Sequence, residues 1–129
     1  MDSIRTHQAV SSRLVGEPVS IENGRAVVEL ETIAEMRVDE YDLVHGGFVY
    51  GVADYAAMVA VNEPTVVLAG SEVRYPAPTR VGDRLRATAA LNEADGRRRS
   101  VDCSVTVEEE TVVLEGTFDC VVPPDHVLG

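Results

Sequence analysis

The sequence predicts an α+β fold in which an antiparallel sheet wraps around one long central helix. Three observations carry this. Residues 48–61, FVYGVADYAAMVAV, are too long for one strand, rich in Ala, and apolar all round the helical wheel, so they read as a buried helix. Four strand-like runs follow, two of them alternating cleanly between apolar and polar residues. Asn23-Gly24 and Asp95-Gly96 are dipeptides that favour tight hairpin turns. A sheet that buries one face on the helix and turns the other to solvent accounts for all three.

Each element follows in order. Residues 4–14, within the N-terminal stretch 1–14, have the spacing of a short amphipathic helix, ended by Gly16 and Pro18. Residues 19–22 are extended, and after Asn23-Gly24 residues 25–31 alternate, with Ala26, Val28 and Leu30 on one face. That strand is predicted to run on to about Val38. The helix is stopped by Asn62, Glu63 and Pro64, because Pro cannot continue the turn. Residues 66–75 form an apolar strand, and Pro76, Pro78 and Gly82 mark a bend. Residues 83–93 alternate, with Leu85, Ala87, Ala89 and Leu91 together. Residues 99–108 turn Val101, Cys103, Val105 and Val107 inward. Glu108, Glu109 and Glu110 make a second turn, and residues 111–122 form the last strand, stopped by Pro123-Pro124. The four strands after the helix read as a meander. No linker, repeat or low-complexity stretch interrupts them, so 1–129 is expected to be a single domain.

Composition bounds the function. The chain has 129 residues, 45% hydrophobic and 26% charged, which excludes a disordered tail, a collagen-like fibre and a membrane bundle. Eleven basic residues stand against 22 acidic ones, a formal net charge of −11. Such a chain is repelled by nucleic acid and by anionic lipid, so neither is an expected partner. Every basic residue is Arg. An acidic, Lys-free surface fits a salt-rich cytoplasm, and the same usage follows from a GC-rich genome; both stay open. Residues 1–14 hold no apolar core of signal-peptide length, and the most apolar stretch, 44–61, contains Asp54 and three glycines, a poor membrane span. A cytoplasmic protein is expected. Cys103 and Cys120 sit in strand-like runs and are expected to be buried free thiols, with no metal-ligand spacing.

One stretch carries chemistry: residues 43–54, LVHGGFVYGVAD. His45, Gly46 and Gly47 lie where a loop becomes the helix. Two glycines at a helix start leave backbone N–H groups unpaired and unshielded, and the helix dipole adds positive charge there. Such donors can polarise a carbonyl or hold an oxyanion; equally, the glycines can serve only a tight turn. Asp54 is a carboxylate in the middle of an apolar helix, where it needs an Arg or backbone partner, or has a chemical task. Eight residues separate Gly46 from Asp54, about 12 Å along a helix at ~1.5 Å per residue. The two ends of one helix cannot reach one carbonyl. If they cooperate they come from different subunits, and the catalytic reading demands a dimer with two equivalent shared sites.

These residues resemble the hotdog-fold acyl-CoA thioesterases, in particular the PaaI-like branch, which carries His-Gly-Gly at the start of its central helix and an acid nine positions after the His. Val73-Arg74-Tyr75, Pro78 and Val81-Gly82-Asp83 look like that family's strand, bend and lead-in to the next strand, and residues 25–122 can be laid on its pattern. The resemblance implies hydrolysis of an acyl- or aryl-CoA to free acid and CoA. The carbonyl would point at the N–H of Gly47, with Gly46, while Asp54 of the other subunit would activate water or attack the thioester. His45 would act as a base or, by a hydrogen bond, shape the turn. No metal or bound cofactor is implied; coenzyme A is part of the substrate.

Two positions depart from the family, where Asn often stands six residues before the His and Gly three before; here they are Asp39 and Asp42. Asp39 could replace the Asn as an acceptor while adding negative charge near an anionic ligand. The hydroxyl residue that some members place opposite the acid has Leu68 and Ala69 in its region, with Ser71 slightly further on. Candidate substrate-binding residues are Asp39, Tyr55, Met58 and Ser71, with Arg80 for the CoA phosphates; Tyr50 and Tyr75 could also line a pocket or be core. The expected assembly is a homodimer or homotetramer. The alternative is a non-catalytic acyl-CoA sensor. Residues 96–122 also resemble the effector domain of the malonyl-CoA-sensing repressor of bacterial lipid synthesis, which carries a DNA-binding helix-turn-helix in front. With only about 15 residues before its first strand and its acidic charge, this chain is not expected to bind DNA alone. A hydratase of the same fold would pair His and acid in a motif this sequence does not contain.

Overall fold

Six extended segments, three of them alternating cleanly, build one antiparallel sheet curved over one helix. The computed structural model describes residues 1–129. The strands are β1 (Glu17–Glu22), β2 (Arg25–Glu31), β3 (Val67–Arg74), β4 (Arg84–Asp95), β5 (Arg98–Val107) and β6 (Thr111–Val121), with short α1 (Ser12–Val15) before them and α2 (Gly46–Val61) between β2 and β3. They lie in the order β1-β2-β4-β5-β6-β3. This is the α+β hotdog arrangement that the sequence predicts.

The core lies between α2 and the inner face of the sheet. Alternation places Ala26, Val28 and Leu30 of β2, Leu85, Ala87 and Ala89 of β4, Val101, Cys103 and Val105 of β5, and Leu114, Phe118 and Cys120 of β6 on that face, all buried. α2 meets them chiefly across β4, β2 and β5. It buries residues all round, including Ala53, Ala56, Ala57 and Ala60, whose small side chains let helix and sheet approach closely. Asn62 ends the helix in the left-handed conformation (φ +52°) with its N–H on Met58 O, and Pro64 bars continuation. Both cysteines are buried and unbridged.

Hairpin turns fall where the dipeptides indicate. Gly24 has φ +79° and Gly96 φ +60°, while the β5–β6 turn puts Glu108 and Glu109 at φ +53° and +63°.

Three expectations are corrected. The four strands after the helix are not a simple meander: β3 crosses to the far edge and pairs with β6, while β4 pairs with β2 and β5. Period-two alternation fixes which face a residue takes, not which strand lies alongside. The close approach is visible at Gly116, where an added Cβ would stand 2.1 Å from Glu72 O on β3.

The helix expected within 1–14 shrinks to Ser12–Val15. The residues before it spend their polar groups on other elements: Asp2 N–H donates to Ile21 O, and the Asn62 side chain takes Arg5 N–H and donates to Ser3 O. β2 ends at Glu31 rather than near Val38. Thr32 turns its N–H and hydroxyl to Asp83 O, its Oγ1 also accepts Gly82 N–H, and the chain then makes a 3₁₀ turn at Ala34–Met36 that buries Met36.

Candidate functional site

The loop between the 3₁₀ turn and α2 is pinned before the helix begins. His45 N–H donates to Met36 O (2.8 Å) and Val44 N–H to Thr79 O (2.9 Å). Asp39 Oδ1 accepts the N–H groups of Tyr41 (3.0 Å) and Leu43 (3.2 Å), an Asx-type turn that any side-chain oxygen at this position could make. Asp42 has φ +64°, a conformation that Gly adopts freely and Asp tolerates better than most residues. Both departures from the family pattern thus have a conformational account.

His45 is the residue before the first helical turn, but its side chain does not cap the helix. Its ring instead lies over Gly47, where an added Cβ would stand 3.1 Å from Cδ2 and Nε2, and meets Phe48 edge-on at 6.1 Å. The helix start pairs first through Phe48 N–H to His45 O (3.0 Å); the N–H groups of Gly46 and Gly47 find no acceptor in the protein. Both N–H groups are thus left without a partner at the start of the helix.

Asp54 follows on the same stripe of α2 as Gly47 and Tyr50. It joins no ion pair, and its Oδ1 is buried without a hydrogen-bond partner. Neither conventional explanation for a carboxyl in an apolar helix, an Arg or a backbone donor, is realised. Burial raises its pKa above the ordinary carboxylate range. Cys120 of β6 is close enough to feel it: burial, then the charges of Asp54 and Asp119, push the thiol up to about 12. The helix runs unbroken from Gly46 to Val61, so Gly46 and Asp54 of one chain stay about 12 Å apart.

A second group gathers beside the helix start. Tyr50 and Ser71 share a hydrogen bond (2.7 Å), and the Tyr50 ring lies 5.4 Å from Phe118. Tyr75, directly after β3, donates its hydroxyl to Gly46 O (2.9 Å). Burial, with a contribution from Tyr50, raises the Tyr75 phenol. Ser71 thus lies on the inner face of β3, opposite Phe118. Arg80 bridges to Leu43 just before the helix and joins no ion pair, its N–H held by Asp83 Oδ2 (2.8 Å).

Tyr55 and Met58 are not brought to this group. Tyr55 faces the N-terminal strap, its ring 6.4 Å from His7, and Met58 is wholly within the core. One helical step of about 100° separates Tyr55 from Asp54, enough to place them on different faces. The bonds of Tyr75 to Gly46 and of Tyr50 to Ser71 escaped sequence reasoning. Tyr50, Ser71 and Tyr75 were each legible as candidates, but their partners were not, since β3's position beside β6 is a tertiary fact.

No group of three or more His, Cys, Asp or Glu side chains could hold a metal ion, and no helix is long and apolar enough to cross a membrane. A concavity of about 970 Å³ is lined by Ser71 together with Glu72, Arg74, Asp102, Glu115 and Thr117, and touches neither Gly47 nor Asp54.

Known proteins sharpen the picture. A crystal structure of an uncharacterized protein from Pyrococcus horikoshii is 55% identical, with a TM-score of 0.97 over 99% of this chain and 98% of that one. A mutant of the phenylacetic acid degradation protein PaaI from Thermus thermophilus is 27% identical, with a TM-score of 0.77 over 85% of this chain and 95% of that one. Among curated relatives, the Aquifex aeolicus protein named methylthioribose-1-phosphate isomerase is 43% identical over 117 residues, which are 89% of this chain and 25% of that protein. The transcription factor FapR of Caldanaerobacter subterraneus is 26% identical over 120 residues, 92% of this chain and 60% of that protein. The chain therefore spans a quarter to three fifths of the length of these two relatives. Residues 41–114, which hold the end of the loop, the helix start, Asp54 and most of the sheet, match the thioesterase superfamily, and the chain belongs to that superfamily.

Proposed function

We propose that this protein hydrolyses an acyl- or aryl-CoA thioester at sites shared between two subunits. The observation that carries the reading is a pairing on one helix: two unengaged N–H donors at Gly46 and Gly47, and a half-buried carboxyl at Asp54 whose Oδ1 is buried without a partner. Membership of the thioesterase superfamily supports it.

In this mechanism the thioester oxygen accepts Gly47 N–H, with Gly46 beside it, and the helix dipole favours the charge that develops there. The partner subunit's Asp54 takes a proton from water as the water oxygen bonds to the carbonyl carbon. The tetrahedral oxyanion then collapses, the C–S bond breaks, and the proton on Asp54 passes to the departing CoA sulfur. A carboxyl whose pKa is raised by burial is a better base than an ordinary one, because it holds the proton more firmly once taken. His45 shields and shapes the donor turn. Asp39 holds the preceding loop, Ser71 fixes Tyr50, and Arg80 offers an unpaired cation to the CoA phosphates. The rings of Tyr50 and Tyr75 around the helix start suit a short or aryl acyl group. Such a reaction needs no metal or resident cofactor, belongs in the cytoplasm where CoA thioesters are, and requires a homodimer or a homotetramer built from dimers.

The test is thiol release from a panel of acyl-CoAs by wild type and Asp54→Asn, at low and high salt. Turnover that collapses in the variant is expected; turnover that survives removes Asp54 from the chemistry. A second reading, an acyl-CoA sensor without turnover, is favoured by the likeness to FapR over 92% of the chain. Under it no acyl-CoA is cleaved, yet one of them raises the melting temperature.

A further inference from the structure

We propose that Tyr75 is a positioning residue that strengthens the Gly47 N–H donor through the peptide group it shares with Gly46. The inference rests on the thioesterase reading and names a part of that same site. The carbonyl of Gly46 and the N–H of Gly47 belong to one planar, resonance-coupled peptide unit. Tyr75 donates its hydroxyl to that carbonyl at 2.9 Å. A hydrogen bond accepted at C=O draws electron density from the nitrogen and makes the N–H on the far side of the same amide a stronger donor, the cooperativity seen in hydrogen-bond chains. Gly47 N–H has no acceptor within the protein, so the whole effect is presented outward.

The bond also fixes direction. Gly46 opens the helix, where the restraint of full i→i−4 pairing is missing on the N–H side, and glycine is the residue least able to hold its own peptide plane. The Tyr75 ring lies against Gly46, 3.4 Å from where a Cβ would be, and the hydroxyl ties down the carbonyl. Tyr75 is anchored in turn by its place directly after β3, whose last residue, Arg74, pairs with Glu115 of β6. β3 and the helix start are thereby locked together at one atom of the peptide whose other end does the binding.

Two measurements on the full-length protein test this. Tyr75→Phe keeps the ring and removes only the donor. Its steady-state kinetics should show kcat lowered with KM little changed, because the loss falls on an interaction that strengthens as the oxyanion forms. Removing an entire oxyanion donor costs about 10²–10³-fold, and cooperative strengthening is roughly 10–30% of a bond, so the expected fall is roughly 2- to 8-fold. In the ligand-free protein, the Gly47 amide proton should move upfield in the ¹H–¹⁵N spectrum of Tyr75→Phe, while core amides such as those of Val101 and Val105 stay in place and report an intact fold. An unmoved Gly47 resonance overturns the proposal, as does a raised KM with unchanged kcat, which is the sign that the Tyr75 hydroxyl itself contacts the substrate. If wild type cleaves no acyl-CoA, the thioesterase reading fails on its own, and the Gly47 shift alone decides whether Tyr75 polarises the donor.

Discussion

Asp54 is held where its charged form is disfavoured, and this has a consequence for stability. Its carboxyl is protonated more readily in the folded chain than in the unfolded one, because burial raises its pKa. Between the ordinary carboxylate range and the raised value the folded state binds more protons, so the contribution of Asp54 to stability falls as pH rises through that window. Asp54→Asn is therefore expected to raise the melting temperature at neutral pH, and the gap should close below about pH 4, where an unfolded-state Asp is protonated too; thermal scans against pH check this. The same substitution abolishes turnover under the thioesterase reading, so a gain in stability beside a loss of activity would mark a functional residue. Asp42 makes a smaller point at the same scale. Its φ of +64° penalises a β-branched residue, so Asp42→Val should cost about 1–2 kcal/mol by denaturant unfolding. Asp42→Gly should be nearly neutral, since the only ion pair it loses is the exposed one with Arg37.

Among the elements, β3 decides what surrounds the site. It supplies Ser71 to Tyr50 and leads directly into Tyr75, and it does so only because it lies beside β6. Gly116 permits that approach. A methyl group there would meet Glu72 O at 2.1 Å and Val73 Cα at 2.8 Å, backbone atoms that cannot rotate aside. Gly116→Ala is expected to destabilise by about 1–3 kcal/mol, as overpacking generally does. It should also loosen β3 specifically, seen as faster hydrogen exchange at Val73 than at Val101. The helix itself was legible from its all-round apolar composition; the partner of the strand that follows it was not, because the apolar run 66–75 is compatible with either neighbour.

For the whole molecule, the unbroken α2 fixes the central requirement. Donors and carboxyl on one stripe but about 12 Å apart cannot converge in one chain. A shared site makes a prediction about mixtures. Gly47→Pro removes the proposed donor at a first-turn position, where Pro is tolerated, and Asp54→Asn removes the proposed base. Each should be inactive alone. Refolded together at equal amounts, half the dimers are mixed and each mixed dimer has one intact site, so activity should return to about one quarter of wild type. A mixture that stays at background would show that the two groups do not serve one site across subunits.

The sequence by itself determined the class of fold, the central helix, the hairpin turns, and the stretch 43–54 in which His45, Gly46, Gly47 and Asp54 stand. These are local matters: periodicity of apolar residues, turn chemistry, and the cost of a carboxyl in an apolar helix act within a few residues of one another. Tertiary structure alone decided that β3 closes the far edge of the sheet, that Asp54 has neither Arg nor backbone partner, that Tyr55 and Met58 turn away into strap and core, and that Tyr75 ties its hydroxyl to Gly46. Each of these depends on contacts between residues far apart in the chain. Hydrophobic patterning chooses a face and not a neighbour, so such contacts are settled only when the whole sheet closes over the helix.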